Sequence, residues 1–542
     1  MKPGINSRRK EFVIITLLAT CTVFVLSLIG RQEDIRQHAQ TISQQYYVDS
    51  SVGSDNNSGI SETSPWKSIS KINNTTFSPG STIYFKRGST WDQTLTVKNN
   101  GVQKSPITYQ AYGTGSAPVI DNTSGNGITV TGDWNIIKNF LLKNMSNYGI
   151  SINNADHNII SDNEITNAGS GVWIAGQYNT ITRNNAHDLK MIHNTPGGDD
   201  DYGATGFILS NANDNEISYN ICTNCKATSY DYGTDGGFVE TWENANRNII
   251  HHNFSDNTNG FFEVGGSSAS QQVADNKIYY NIVYNAGDIL CLHLDGNFAV
   301  TVSNMNVENN TFYGGSSIGG CGGSIIQNTV ILRNNIIQGG SVSDSGYFIH
   351  TDNLYVSQPG FTLGQGEKVA DPLFVNAGAK NFHLRLGSPA IDAAAKLGFT
   401  KDFENNYVPM GNAPDIGALE YASQSRYPTP TSPYVTPIWV CAGSSTCAGT
   451  PAPTNRPDAN ISPILTTQNP SSPSENPIYS TPQPTIPQKD IYDPNDQRTS
   501  TKPEKILPGQ TKKTLNNQLI QQFLQIIRQM INLLLSLLGI KK

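Results

Sequence analysis

The sequence is short of cysteine, of charge and of long apolar runs, and each shortage narrows what the chain can be. Its 542 residues hold seven cysteines, at 21, 222, 225, 291, 321, 441 and 447, too scattered for a disulfide framework, so the fold is expected to stand without staples. Cys222 and Cys225 form a CxxC pair with no second ligand pair nearby, which argues against zinc or redox work. Cys441 and Cys447 suit a local bridge in an exported segment. Bases do not outnumber acids: 36 Lys and Arg against 43 Asp and Glu give a net charge of −7, which excludes the basic surface a nucleic-acid partner needs. From 190 to 300 the only Lys or Arg residues are Lys190, Lys226, Arg247 and Lys277.

One early run does lack charge for long enough to matter. Phe12 to Gly30 is 19 residues without a charge after Arg8-Arg9-Lys10, the pattern of a membrane span with its N-terminus inside. No small-x-small cleavage site follows it cleanly, so an uncleaved signal anchor is the better reading than a removed peptide. The rest of the chain is then expected on the extracellular, cell-surface side.

What the sequence has in quantity is glycine, asparagine and short alternating apolar stretches. Asn-x-Ile-x-x-Asn recurs at Asn158 to Asn163, Asn179 to Asn184, Asn215 to Asn220, Asn248 to Asn253 and Asn276 to Asn281, with looser copies ending at Asn310 and Asn334. A minimal spacing of 21 residues, stretched by insertions, implies a solenoid in which each repeat packs only on its neighbours. Between the asparagines lie period-two strands such as Gly149 to Ile152 and Gly171 to Ile174, which bury one face. Asparagine suits the sharp turns because it tolerates left-handed backbone and its amide can bond the next rung.

The expected fold class is all-β, a right-handed parallel β-helix or three-sheet solenoid with an N-terminal cap, flanked by an N-terminal transmembrane helix, a disordered linker and a C-terminal amphipathic helix. Residues 1–45 read as cytoplasmic stub, anchor and stalk, and 46–421 as the β-helix with its end caps. Residues 422–510 read as a Pro/Ser/Thr-rich linker, and 511–542 as an apolar amphipathic helix that lies on a membrane or self-associates. In the cap, Ser64-Pro65 is expected to start a short helix with Trp66, Ile69 and Ile72 on one face.

The chain resembles the right-handed β-helix repeat proteins of the pectate-lyase-like superfamily. The likeness runs from Tyr46-Tyr47-Val48 and Gly80 to Gly88 through the rungs to a closing cap with Asp371 to Val375, Gly387 to Asp392 and Asp415 to Tyr421. It implies the fold and leaves activity open, since the group includes lyases, hydrolases, epimerases and non-catalytic surface proteins.

The candidate chemistry lies between Gly237 and Val264. Gly237-Phe238-Val239-Glu240 returns 23 residues later as Gly260-Phe261-Phe262-Glu263, and alternation turns both glutamates outward on adjacent rungs. Glu243, Cys291, His293 and Asp295 are expected on the same face, with Trp173 three rungs before Glu240, Trp242 beside it and Phe262 as a further ring. Carboxylates beside aromatic rings describe a polysaccharide cleft, because sugars stack on rings and glycosidic cleavage uses two acids. Glu240 with Glu263 gives roughly 5 Å, near the retaining separation, and Glu240 or Glu243 with Asp295 gives roughly 9.5 Å, near the inverting one. A non-catalytic glycan-binding or adhesion surface would use the same face. A calcium-dependent polysaccharide lyase would need a Lys or Arg base, and none aligns with Glu240. Asp199, Asp200, Asp201, Asp231 and Asp235, in two enlarged loops, are either a solvated acidic face or ligands for Ca2+.

Overall fold

The computed structural model describes residues 44–422 apart from 294–297, 316, 321–329, 340 and 343–347. The expected anchor, linker and C-terminal helix lie outside the described residues, as does Asp295. Among the described residues no helix is long and apolar enough to cross a membrane.

The described chain winds into three parallel sheets of 12, 10 and 12 strands. Strands adjacent in a sheet are one turn of the chain apart: Ile159–Ser161, Thr180–Thr182, Glu216–Ser218 and Ile249–His251 pair in that order. Each strand is two to six residues long because a rung must turn three times in some two dozen residues. Alternation fills the interior: Val172 and Ile174 are buried while Trp173 between them is half-exposed.

Asparagine amides set the rung spacing. Asn163, Asn184, Asn220, Asn253, Asn281, Asn310, Asn335 and Asn353 form one file, in which each Oδ1 accepts the backbone N–H of the preceding asparagine at 2.8–3.1 Å. Asn135, Asn158, Asn179, Asn215, Asn248 and Asn276 form a second file at the other end of the same sheet. Two details differ from the sequence reading. The first file runs through Asn335, not Asn334, whose Oδ1 instead accepts from Ala395 N of the closing cap at 2.9 Å. The left-handed residue is the one before each asparagine of that file, from Asp162 to Asp352 at φ 49–58°, and includes Arg183, Tyr219 and His252. The asparagine therefore does not need the left-handed conformation itself; its amide bonds hold the residue before it there. Asparagines that are left-handed, Asn144, Asn167, Asn224, Asn257 and Asn285, line another turn and form a more exposed ladder.

The ends are closed by different means. The N-terminal helix spans Ile69–Asn73 with Ser68 as its N-cap, accepting from Lys71 N at 3.0 Å, so it starts four residues later than Ser64-Pro65 suggests. Trp66 is spent as an extended residue whose N–H and C=O bond Tyr47 and Asp49, and Asp55 holds Lys67 and Ser68 through their N–H groups. Trp66, Ile69 and Ile72 are buried as expected. At the other end the buried Glu367 carboxylate accepts from Asn353 Nδ2 and Tyr355 OH, ending the asparagine file on a charge that cannot be extended. Staples are present after all: Cys222 and Cys225 are disulfide-bonded to each other and fully buried inside a rung, and Cys291 is disulfide-bonded as well.

Asn220 Oδ1 takes Asn184 N at 2.9 Å and its Nδ2 gives to Ile181 O at 2.8 Å, all in the interior. Asn220→Ala leaves both backbone groups buried and unpaired and is expected to cost about 3 kcal/mol, against about 1 kcal/mol for Asn257→Ala on the outer ladder. Urea midpoints of the two variants check this.

Candidate active site

The ten-stranded sheet carries the site because register stacks its outward side chains. Ser151, Trp173, Ile208, Glu240, Glu263 and Cys291 follow one another directly on successive strands. Val239, Thr241 and Val264 are buried on the opposite side, so the two glutamates face out, as alternation requires. They stand on adjacent rungs, which places their backbones about 4.8 Å apart. Trp173 lies two rungs before Glu240 rather than three, because Thr205–Ser210 is the single strand between them.

The two acids sit in unlike surroundings. Glu240 is half-buried between Trp173's strand and Glu263, and one carboxyl oxygen accepts from Thr205 Oγ1 at 3.3 Å. Burial first, then the like charges of Glu263 and Asp235, push its pKa up to about 8, against the weaker opposing bond from Thr205. Glu263 is 35% exposed, and its Oε1 meets His293 Nε2 at 3.0 Å. Two carboxyls one rung apart, one held protonated and one paired with an imidazole, meet the requirement that acid and base roles be separated by environment.

Aromatic rings flank the pair. Gly265 pairs with Trp242 along the next outward column, and because it has no side chain the indole and His293 both approach it: a Cβ there would lie 3.4 Å from Trp242 and 3.6 Å from His293. Phe298 closes this slot, 5.8 Å from Trp242 and edge-on to His293 at 5.7 Å between ring centroids. On the other side Tyr148 and Trp173 pack at 5.2 Å, and Tyr148 is pushed well above the usual phenol range by burial and by Tyr202 and Glu240.

Several sequence-predicted residues fall elsewhere. Phe262 is 1% exposed in the core, since the register that turns Glu263 out turns Phe262 in; it offers no ring to a ligand. Glu243 ends its strand with φ 71° and its carboxylate accepts from Asn211 and, at 3.3 Å, from Ser267, so it ties turns together rather than facing Glu240. Cys291 is buried and disulfide-bonded. It comes within ligand distance of Glu263 and His293, but a disulfide sulfur is not a thiolate, which leaves that set two donors.

The five loop aspartates do not converge either. Asp201 accepts from Thr195 N, Ser229 Oγ and Asp231 N, Asp231 from Asp200 N and Asp201 N, and Asp199 from Tyr232 OH. Their carboxylates serve to lock the hairpin Ala227–Ser229 with Gly233–Asp235 onto the loop before Tyr202. Among the described residues only Asp200 and Asp201 of the five share a ligand-sized cluster, with His193, whose imidazole is not the all-oxygen shell Ca2+ prefers. Asp235 instead belongs with the acid pair: burial first, then Glu263 and Asp201, raise its pKa to about 7 against a bond from Gly236 N. Sequence spacing gave no sign of this, because a hairpin brings Asp235 back over the sheet. Phe298, Thr205 and Tyr148 were missed as well; Thr205 and Tyr148 sit in the same register column as Gly237 and Gly260 and could have been found by aligning strand starts.

Comparison with known proteins agrees with this architecture. Residues 126–290 match the sequence model of a family described as right handed beta helix region. A lacto-N-biosidase of Bifidobacterium longum subsp. longum is 33% identical over 135 residues, which is 24% of this chain and only 8% of that protein's length. A solved pectate lyase, Pel9A, superposes with TM-score 0.53 at 19% identity over 70% of this chain and 96% of its own. A GH136 lacto-N-biosidase from Eubacterium ramulus gives TM-score 0.38 at 13% identity over 64% and 73%. With three parallel sheets, an asparagine-set rung and the matching family region together, the chain is a right-handed parallel β-helix protein.

Proposed function

We propose that the protein is a glycan hydrolase of the retaining type, working on the face of Glu240 and Glu263 and held at the outer cell surface by the apolar segment before residue 44. The observation that carries this reading is the in-register acid pair on adjacent rungs, one member buried beside Thr205 and the other bonded to His293. Glu240, kept protonated, gives its proton to the glycosidic oxygen as that bond breaks. Glu263, positioned by His293 at 3.0 Å, attacks the anomeric carbon and forms a glycosyl ester. Water then cleaves the ester, its proton passing to Glu240, so both acids are restored. Trp242 and Trp173 supply stacking faces along the axis. The partial similarity to a lacto-N-biosidase supports hydrolysis over elimination, and the six strands around the pair carry no Lys or Arg to serve as the base of an elimination.

Glu240→Gln and Glu263→Gln are each expected to lower kcat on the cleaved glycan by about 10³-fold with the circular dichroism spectrum unchanged. Binding that persists in both variants, with no product from the wild type in any polysaccharide screen, would make this a glycan-binding surface instead.

The pH dependence has a fixed sign. Activity needs Glu240 protonated, so kcat falls as pH rises through about 8. Stability follows the same group: its folded pKa lies above the unfolded one, so between about 4.5 and 8 the native state binds a proton that the unfolded state releases, and stability falls across that window. Glu240→Gln removes this loss, so its Tm should match the wild type near pH 4.5 and exceed it by about 2 °C or more at pH 9. Thermal melts at the two pH values measure the difference.

A further inference from the structure

We infer that the glycan taken by this site is uncharged, lacking uronate, sulfate or phosphate groups on the sugars that lie over the acid pair. The inference uses the proposed function for the location of the site and is independent of the reaction performed there.

The first ground is charge without countercharge. Glu240, Glu263 and Asp235 feel one another's fields, and Asp288 starts the next strand of the same sheet, opposite Gly260. Asp199, Asp200, Asp201 and Asp231 sit in the two loops that border the site. No Lys or Arg occurs in the six strands from Tyr148–Asn153 to Asp288–Leu292. Arg247 is gripped through two bonds of 2.8 and 2.7 Å by Asp214, Lys226 donates to Asn257 at the outer ladder, Lys277 pairs with Ile249 in another sheet, and Lys190 stands off the ten-stranded sheet, in the insertion whose backbone bonds Ala168 and Ala204. A carboxylate on a bound sugar would come within the screening length of several acids and meet no cation on the six strands beneath it.

The second ground is what the site offers in place of cations. Trp242, Phe298 and His293 surround the opening over Gly265, and Trp173 with Tyr148 presents a second aromatic face two rungs away. Rings on either side of the acid pair suit the C–H faces of neutral pyranoses, which gain by stacking and bring no charge to be compensated. Thr205 and His293 are the adjacent polar groups, both already turned to the acids.

The test presents the full chain to an array of neutral and acidic glycans in about 20 mM salt without divalent cations. The best neutral ligand is then compared with its own C6-oxidised uronate form. We expect binders among the neutral glycans only, at least tenfold weaker binding of the oxidised form, a gap that narrows in high salt, and at least tenfold loss of neutral binding in Trp242→Ala. Preference for acidic glycans, binding of the uronate form once 1 mM Ca2+ is added, binding of nothing on the array, or neutral binding untouched by Trp242→Ala would each overturn the inference. Product analysis on the same ligands separates the two readings: neutral binding without cleavage removes the hydrolase and leaves the substrate class, whereas cleavage of a uronate glycan does the reverse.

Discussion

The bond from one rung's backbone N–H to the next rung's asparagine amide is the constraint on which the rest of this molecule depends. In a sheet, a slip of one residue exchanges the inner and outer faces, so an unpinned strand could bury Glu240 and expose Val239. Two buried asparagine files, one at each end of the twelve-stranded sheet, fix the register of every rung they cross and so set where the ten-stranded sheet that carries Glu240 begins. They also make the fold tolerant of insertion. Asn163 and Asn184 are 21 residues apart, and Asn184 and Asn220 are 36 apart, yet their bonds are 3.1 and 2.9 Å. The extra residues leave as hairpins over the site, and the rung beneath them keeps its place.

That separation of rung from insertion explains what could and could not be read from the sequence. The period, the outward pair Glu240 and Glu263, and Trp242 beside them follow from local alternation and a repeat, both written in consecutive residues. Counting rungs across an insertion is harder, because the long stretch between Trp173 and Glu240 holds a single strand of the sheet, and the count came out one too high. Phe262 failed for a simpler reason: the same alternation that exposes Glu263 buries it. Asp235 was beyond reach, since its place beside the acids depends on a hairpin anchored by Asp201 and Ser229, contacts between residues some thirty positions apart. The chemistry of a solenoid is thus legible where it lies on the strands and hidden where it lies on the loops.

The same rigidity bears on how the site can exist at all. Two carboxyls one rung apart, with a third folded over them, repel when ionised, and a flexible chain would move them apart. Here both strands are held by parallel pairing within the ten-stranded sheet, and burial together with the surrounding like charges raises the pKa of Glu240 and of Asp235. Glu263 differs in its partner, its Oε1 lying 3.0 Å from His293 Nε2. Placing an imidazole on one acid and burial beside Thr205 on the other gives two chemically identical side chains unlike surroundings, so a ligand lying across the pair meets two different carboxyls with no conformational change needed to distinguish them.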